Sequence, residues 1–147
     1  MTQAKAEAIL AADKWIENSE AVSLPVWVEK GTRTVRYTVL GAPNDEKLTI
    51  SIERTDIPGR ALLAVTFHLY HETGESLLRL DFGSAHRNPD GSYLDCPHLH
   101  RFREGAGDRW AEPWSGPRLI EGHDMRTVAM AFFKTAGIYG ETEAALL

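Results

Sequence analysis

The chain has 147 residues, a formal net charge of −5 and one cysteine, Cys96, which exclude an internal disulfide framework and a four-cysteine zinc site and argue against a broad nucleic-acid surface. Hydrophobic residues make up 43% and charged residues 25%, the balance of one globular domain over residues 1–147 rather than of a disordered chain. No apolar run approaches the roughly 20 residues of a membrane helix, and the charged start MTQAKAEAILAADKW lacks the apolar centre of a signal peptide, so a cytoplasmic protein with no membrane contact is expected.

Residues 3–17 read as an amphipathic helix with Thr2 as its N-cap and Ala6, Ile9, Leu10 and Ile16 as an apolar stripe, closed by Asn18 and Ser19. The period then changes to two. Val26 and Val28 flank Trp27 after Pro25, as at a strand start or sheet edge. Val35, Tyr37 and Val39 form one side of the next strand, and Leu48, Ile50 and Ile52 one side of another, with Gly41, Pro43, Asn44 and Asp45 turning between them. Ile57-Pro58-Gly59 makes a further break. Leu63, Val65, Phe67 and Leu69, then Leu78, Leu80 and Phe82, continue the alternation across a turn at Gly74, while Arg79 and Asp81 face the other way. His68 and His71 read as ordinary outer-face residues. A last helix spans about 125–136, with Asp124 as N-cap, Met125, Val128, Ala129 and Phe132 on one face, and Gly137 as its stop.

Turns this short join antiparallel neighbours, because a parallel crossover needs a dozen or more residues. The expected fold is therefore α+β, an antiparallel meander of five to six strands covered by an N-terminal and a C-terminal helix.

Between residues 83 and 123 the alternation fails, and four of the six histidines lie there. Long irregular connections inside a compact domain are often functional. Asn88-Pro89-Asp90-Gly91 is a turn signal, and a strand from Pro97 to Glu104 is expected after it. Alternation puts His98, His100, Phe102 and Glu104 on one face and Leu99, Arg101 and Arg103 on the other. A strand with ionisable groups on both faces is poorly explained by packing alone. His98, His100, Glu104 and Arg103 are the candidate catalytic residues, with His86, Arg101, Asp108, Arg109 and Trp110 as candidate binding residues.

Three chemistries suit that set. Expected first is a non-catalytic role, in which the polar side chains hydrogen-bond one another or exposed tryptophan and arginine anchor a protein partner or a small ligand. The second is metal-independent phosphodiester cleavage, with His98 or His100 moving protons, Glu104 as base and Arg101 or Arg103 on phosphate oxygens, as in small ribonuclease toxins. That mechanism requires the backbone to turn the arginines toward the histidines. The third is metal binding, in which His98 and His100, two apart on a strand, chelate one ion and Glu104 or Asp95 completes the site. His98-x-His100-x-x-x-Glu104 resembles the first motif of the cupin family, which implies a metal inside a β-barrel, although His123 is out of register with the second cupin motif. No cofactor or metal is assigned on these grounds. Cys96 reads as a half-buried thiol, Gly105-Ala106-Gly107-Asp108 as a tight turn, and Trp110 and Trp114 as caps on the core edge.

A second resemblance is broader. Asn88 to Gly91, Pro97-His98-Leu99-His100, Phe102-Arg103-Glu104-Gly105 and Gly107-Asp108-Arg109-Trp110-Ala111 together look like the signature of a family of small bacterial and phage-borne proteins. That likeness implies a prokaryotic setting and carries no activity with it.

Overall fold

The structure is a computed structural model that describes residues 1–17, 33–56, 63–119 and 125–139. Helix α1 (Gln3–Ala11) is followed by β1 (Trp15–Ile16), β2 (Arg33–Leu40), β3 (Leu48–Asp56), β4 (Leu63–His71) and β5 (Ser76–Phe82). A short hairpin of β6 (His86–Arg87) and β7 (Tyr93–Leu94) precedes β8 (His98–Arg101), β9 (Ala111–Pro113) and α2 (Met125–Thr135). Among the described residues β1, β2, β3, β4, β5, β8 and β9 lie side by side in one antiparallel sheet of seven strands, and β6 pairs with β7 in a second. The class is α+β, with more strands than the five to six expected. The sequence around Val26 to Val28, the break at 57–59, and the N-cap Asp124 lie outside the described residues, as do the side chains of Leu63 and Met125.

Alternation decides what each face of the sheet carries. The register aligns Ile52, Phe67, Leu80 and Leu99 in one row and Ile50, Leu69 and Leu78 in the next, all buried. Each such side chain contributes about 1.5–3 kcal/mol when taken from water. Helix α2 covers this face with Val128, Ala129, Phe132 and Phe133, followed by Ala136 just past its end, and Phe132 packs 5.6 Å from Phe67, ring centre to ring centre. Helix α1 adds Ala6 and Ile9.

Both helices are closed by identifiable contacts. Thr2 accepts the Lys5 N–H at 3.1 Å, the N-cap its side chain favours. Helix α1 stops at Ala11, short of the expected residue 17, and its last turn is capped by a buried lysine. Lys14 Nζ donates to the carbonyls of Ile9 (2.6 Å), Ala12 (2.7 Å) and Leu10 (3.4 Å). Burial pushes the Lys14 ammonium down to about 8, against a smaller upward pull from Asp13. At the end of α2, Gly137 N–H bonds Lys134 O and Ile138 N–H bonds Phe133 O, the Schellman closure that a glycine at φ +76° permits. Lys14 and Ile138 then form a parallel bridge, joining the ends of the two helices.

His71 is not an outer-face residue. It alternates with Leu69, is buried, and bonds Glu46 through Nε2 and Thr73 through Nδ1. That contact, then the Lys5 amine, holds the Glu46 carboxyl below its ordinary range.

Candidate functional site

The opposite face of the sheet is polar, and the strand register composes it. One row runs Arg36, Ser51, His68, Arg79, His100 and Ala111 across six strands; its neighbour runs Thr34, Glu53, Thr66, Asp81, His98 and Pro113. Arg79 and Asp81 thereby stand directly beside His100 and His98. Both histidines are only 1% exposed, because the β6–β7 hairpin and the 103–110 turn lie over this corner of the sheet. His86 of the hairpin sits on both of them, with ring centres 5.5 Å from His98 and 4.6 Å from His100, while His98 and His100 are 4.9 Å apart.

The hairpin is held there by Asn88. Its amide donates to Ala111 O at 3.0 Å and accepts Ala111 N–H at 2.8 Å, so a side chain completes the main-chain hydrogen bonding of edge strand β9. The Asn88-to-Gly91 turn forms as expected, with Gly91 N–H on Asn88 O and Asn88 N–H on Ser92 O, each at 2.8 Å.

The hydrogen bonds assign the imidazole protons. His86 Nε2 lies 2.8 Å from Arg109 O and His100 Nδ1 lies 2.6 Å from Asp108 O. A carbonyl only accepts, so both nitrogens carry the proton. His98 Nε2 faces Asp81 Oδ2 at 3.5 Å, and its Nδ1 is buried with no hydrogen-bond partner among the described residues. In the neutral tautomers, with the proton of His98 toward Asp81, lone pairs stand on Nδ1 of His86, Nδ1 of His98 and Nε2 of His100, the last of which also lies 3.3 Å from Asp81 Oδ2. One nitrogen from each of the three rings lies within 4.8 Å of the other two.

Asp81 and Arg79 set the field around them. Asp81 Oδ2 is 3.3 Å from His100 Nε2 and 3.1 Å from Arg79 Nε. Burial alone would raise the Asp81 carboxyl, but the contacts to His100 and His98 and the Arg79 charge outweigh it and hold the group well below the carboxylate range. Arg79 also reaches Asp108 Oδ2 at 2.5 Å and His100 Nε2 at 3.2 Å. One strand over, His68 is pushed down, first by burial and then by the Arg79 charge.

Of the residues expected to form a site, His86, His98, His100 and Asp108 converge, and Arg109 contributes its carbonyl. Glu104 and Arg103 do not. Strand β8 ends at Arg101, three residues earlier than expected, because 103–107 is a turn with Gly105 and Gly107 at φ +80° and +62°. Phe102 consequently enters the apolar core instead of sharing the histidine face. Glu104 is exposed and exchanges hydrogen bonds with Gln3 of α1. Arg103 stacks over Trp110 at 4.4 Å, and Arg101 pairs with Glu112 at 2.7 Å. The glutamate of the cupin-like motif lies away from the histidines, and among the described residues β1 and β9 are the margins of the sheet. The arginines named for phosphate binding lie away from the histidines, and the one that does reach them, Arg79, was not among the candidates.

A second group, Glu46, His71 and Glu72, also places three donor side chains together. Both His71 nitrogens are already engaged there. It is a structural tie.

Fold and site together define an α+β protein whose antiparallel sheet carries two buried histidines on its polar face, with His86 of the hairpin set over them and an aspartate and an arginine beside them. The chain belongs to the family described as a family of unknown function (DUF6978), whose model matches residues 1–138. No curated protein and no solved structure matches it. No described helix is long and apolar enough to cross a membrane.

Proposed function

We propose that the protein binds one transition-metal dication, zinc foremost, through His86, His98 and His100, in a binding rather than a catalytic role. The observation that carries this reading is the proton arrangement. Two rings have their outer N–H fixed on main-chain carbonyls, the third faces a carboxylate, and a buried nitrogen of that third ring has no hydrogen-bond partner among the described residues. Metal-ligating histidines are oriented in just this way, by outer partners that fix the tautomer and leave the inner lone pair for the ion.

Donor type and spacing agree with it. Imidazole suits zinc, copper, iron and nickel. In a tetrahedral set with metal–nitrogen bonds of about 2.1 Å, ligand nitrogens are about 3.4 Å apart and ring centres about 5.2 Å apart. The ring centres here are 4.6–5.5 Å apart, so small side-chain rotations close the set. Asp81, 3.5 Å from His98 Nε2 and 3.3 Å from His100 Nε2, offsets part of the ion's charge. A protein-anchoring role for Trp110 is less well supported, because Arg103 already covers that ring. A cytoplasmic, prokaryotic setting belongs to the same proposal and suits the free thiol of Cys96.

The test is to strip the full chain with a chelator and titrate it with Zn²⁺ and Co²⁺. One equivalent should bind, cobalt should show the intense visible absorption of four-coordinate geometry, and His86→Ala and His100→Ala should each weaken binding at least tenfold while His71→Ala does not. Absence of stoichiometric binding in a folded protein, or binding indifferent to both site variants, overturns the proposal.

A further inference from the structure

We infer that Arg79 is a built-in cation occupying the site's metal-facing nitrogen, so that a metal ion enters by displacing it. This rests on the metal-binding reading above and concerns what sets the affinity of that site.

The guanidinium touches three groups at once. Nε is 3.1 Å from Asp81 Oδ2, Nη1 is 2.5 Å from Asp108 Oδ2, and Nη2 is 3.2 Å from His100 Nε2. The third contact is the unusual one. In the neutral ring the proton on Nδ1 goes to Asp108 O, so Nε2 is an acceptor to which Arg79 donates, and Asp81 Oδ2, 3.3 Å from the same nitrogen, stands ready to take the ring's second proton or to face an ion there. That lone pair is the one an ion needs. An arginine is charged at every accessible pH, so a dication arriving at His100 meets both a competitor for the nitrogen and a like charge in direct contact with it.

The same geometry explains why an arginine stands there. Two carboxylates, Asp81 and Asp108, converge on a corner where the two histidines beside them are 1% exposed. Without a cation they would repel each other, and buried charge needs a partner. Arg79 supplies one in the metal-free protein, and a dication supplies another in the loaded one. Exchange of one for the other keeps the corner assembled in both states. An exit is open as well: the Arg79 side chain is 29% exposed and that of Asp108 27%, so the guanidinium can swing outward with Asp108 while Asp81 stays with the histidines.

Arg79 is thus an affinity-determining residue and not a ligand. Metal binding becomes an exchange of the guanidinium for the ion at His100, with an affinity lower than the three histidines alone would give. A neutral side chain of similar length should remove the competitor and keep the packing of its stem.

The experiment titrates Zn²⁺ against a competing chromophoric chelator in the wild type and in Arg79→Met, with circular dichroism to check the fold. Arg79→Met is expected to bind at least tenfold more tightly. In parallel, the ¹⁵N resonances of the Arg79 guanidinium in the wild type are followed through the titration and should shift on loading as its contact to His100 breaks. A wild type that binds zinc together with a folded Arg79→Met that binds no more tightly overturns the exchange and leaves the metal site standing. If Arg79→Met does not fold, guanidinium resonances unmoved at full zinc occupancy overturn it instead. No binding in either protein removes the metal reading and this inference with it.

Discussion

Replacing Asn88 by alanine isolates the contact that seats the β6–β7 hairpin. The side chain makes two hydrogen bonds to Ala111, at 2.8 and 3.0 Å, and is 8% exposed as a residue. Each is worth about 0.5–1.5 kcal/mol net, so Asn88→Ala should cost about 2 kcal/mol in urea unfolding, a fall in Tm of about 4–8 °C for a chain of this size. Asn88→Asp is the sharper probe. It keeps the acceptor for Ala111 N–H but sets a carboxylate oxygen against Ala111 O, and it should cost more than alanine despite its closer shape. Amide hydrogen exchange at Ala111 should accelerate in both. Because His86 rides on this hairpin, zinc affinity should fall about 10–100-fold, as when an outer partner of a ligand is removed. A loss under 0.5 kcal/mol with unchanged protection at Ala111 would refute the reasoning.

Two further outcomes follow from the same contacts. The Lys14 ammonium is lowered to about 8 in the fold, against about 10.4 in an unfolded chain. The folded state therefore binds fewer protons between those values, stability from this group rises as pH climbs from 8 toward 10.5, and Lys14→Met should flatten that slope in urea midpoints measured across the range. Glu104→Ala and Arg103→Ala should leave zinc affinity within twofold of the wild type and cost at most about 1 kcal/mol each. A larger loss of binding in either would return them to the site.

Wherever side-chain period alone decides position, the sequence was a good guide. The alternation of Leu48, Ile50 and Ile52, of Val65, Phe67 and Leu69, and of Leu78, Leu80 and Phe82 foretells the buried rows, and the apolar face of 125–136 foretells the helix over them. The pairing of His98 with His100 is legible for the same reason. Their partners are not. Asp81 and Arg79 meet them through a cross-strand register between β5 and β8, which an intervening hairpin separates in sequence, and alternation within one strand says nothing about its neighbour. Asp81 and Arg79 did carry one signal: both face away from Leu80 and are charged. Alternation alone puts Glu104 beside the histidines, whereas the turn at Gly105 and Gly107 ends the strand at Arg101 and carries the glutamate away. His71 is illegible for a similar reason: a polar side chain in register with the apolar face resembles an outer one in sequence, and only the fold brings Glu46 to pair with it.

The bridge between Lys14 and Ile138 bears on how the chain acquires its fold. Lys14 N–H bonds Gly137 O and Tyr139 N–H bonds Lys14 O, so the segment that ends the first helix is completed by the segment that ends the last. Contacts between residues so distant in sequence are slow to form, since a long loop must close before they stabilise anything. Synthesis proceeds from the N-terminus, and a nascent chain halted before Gly137 therefore holds the meander without its closing pair. Final docking of α1 is expected as a late step, after release of the C-terminal helix from the ribosome, and protease resistance of stalled nascent chains should rise only once residues 137–139 have emerged.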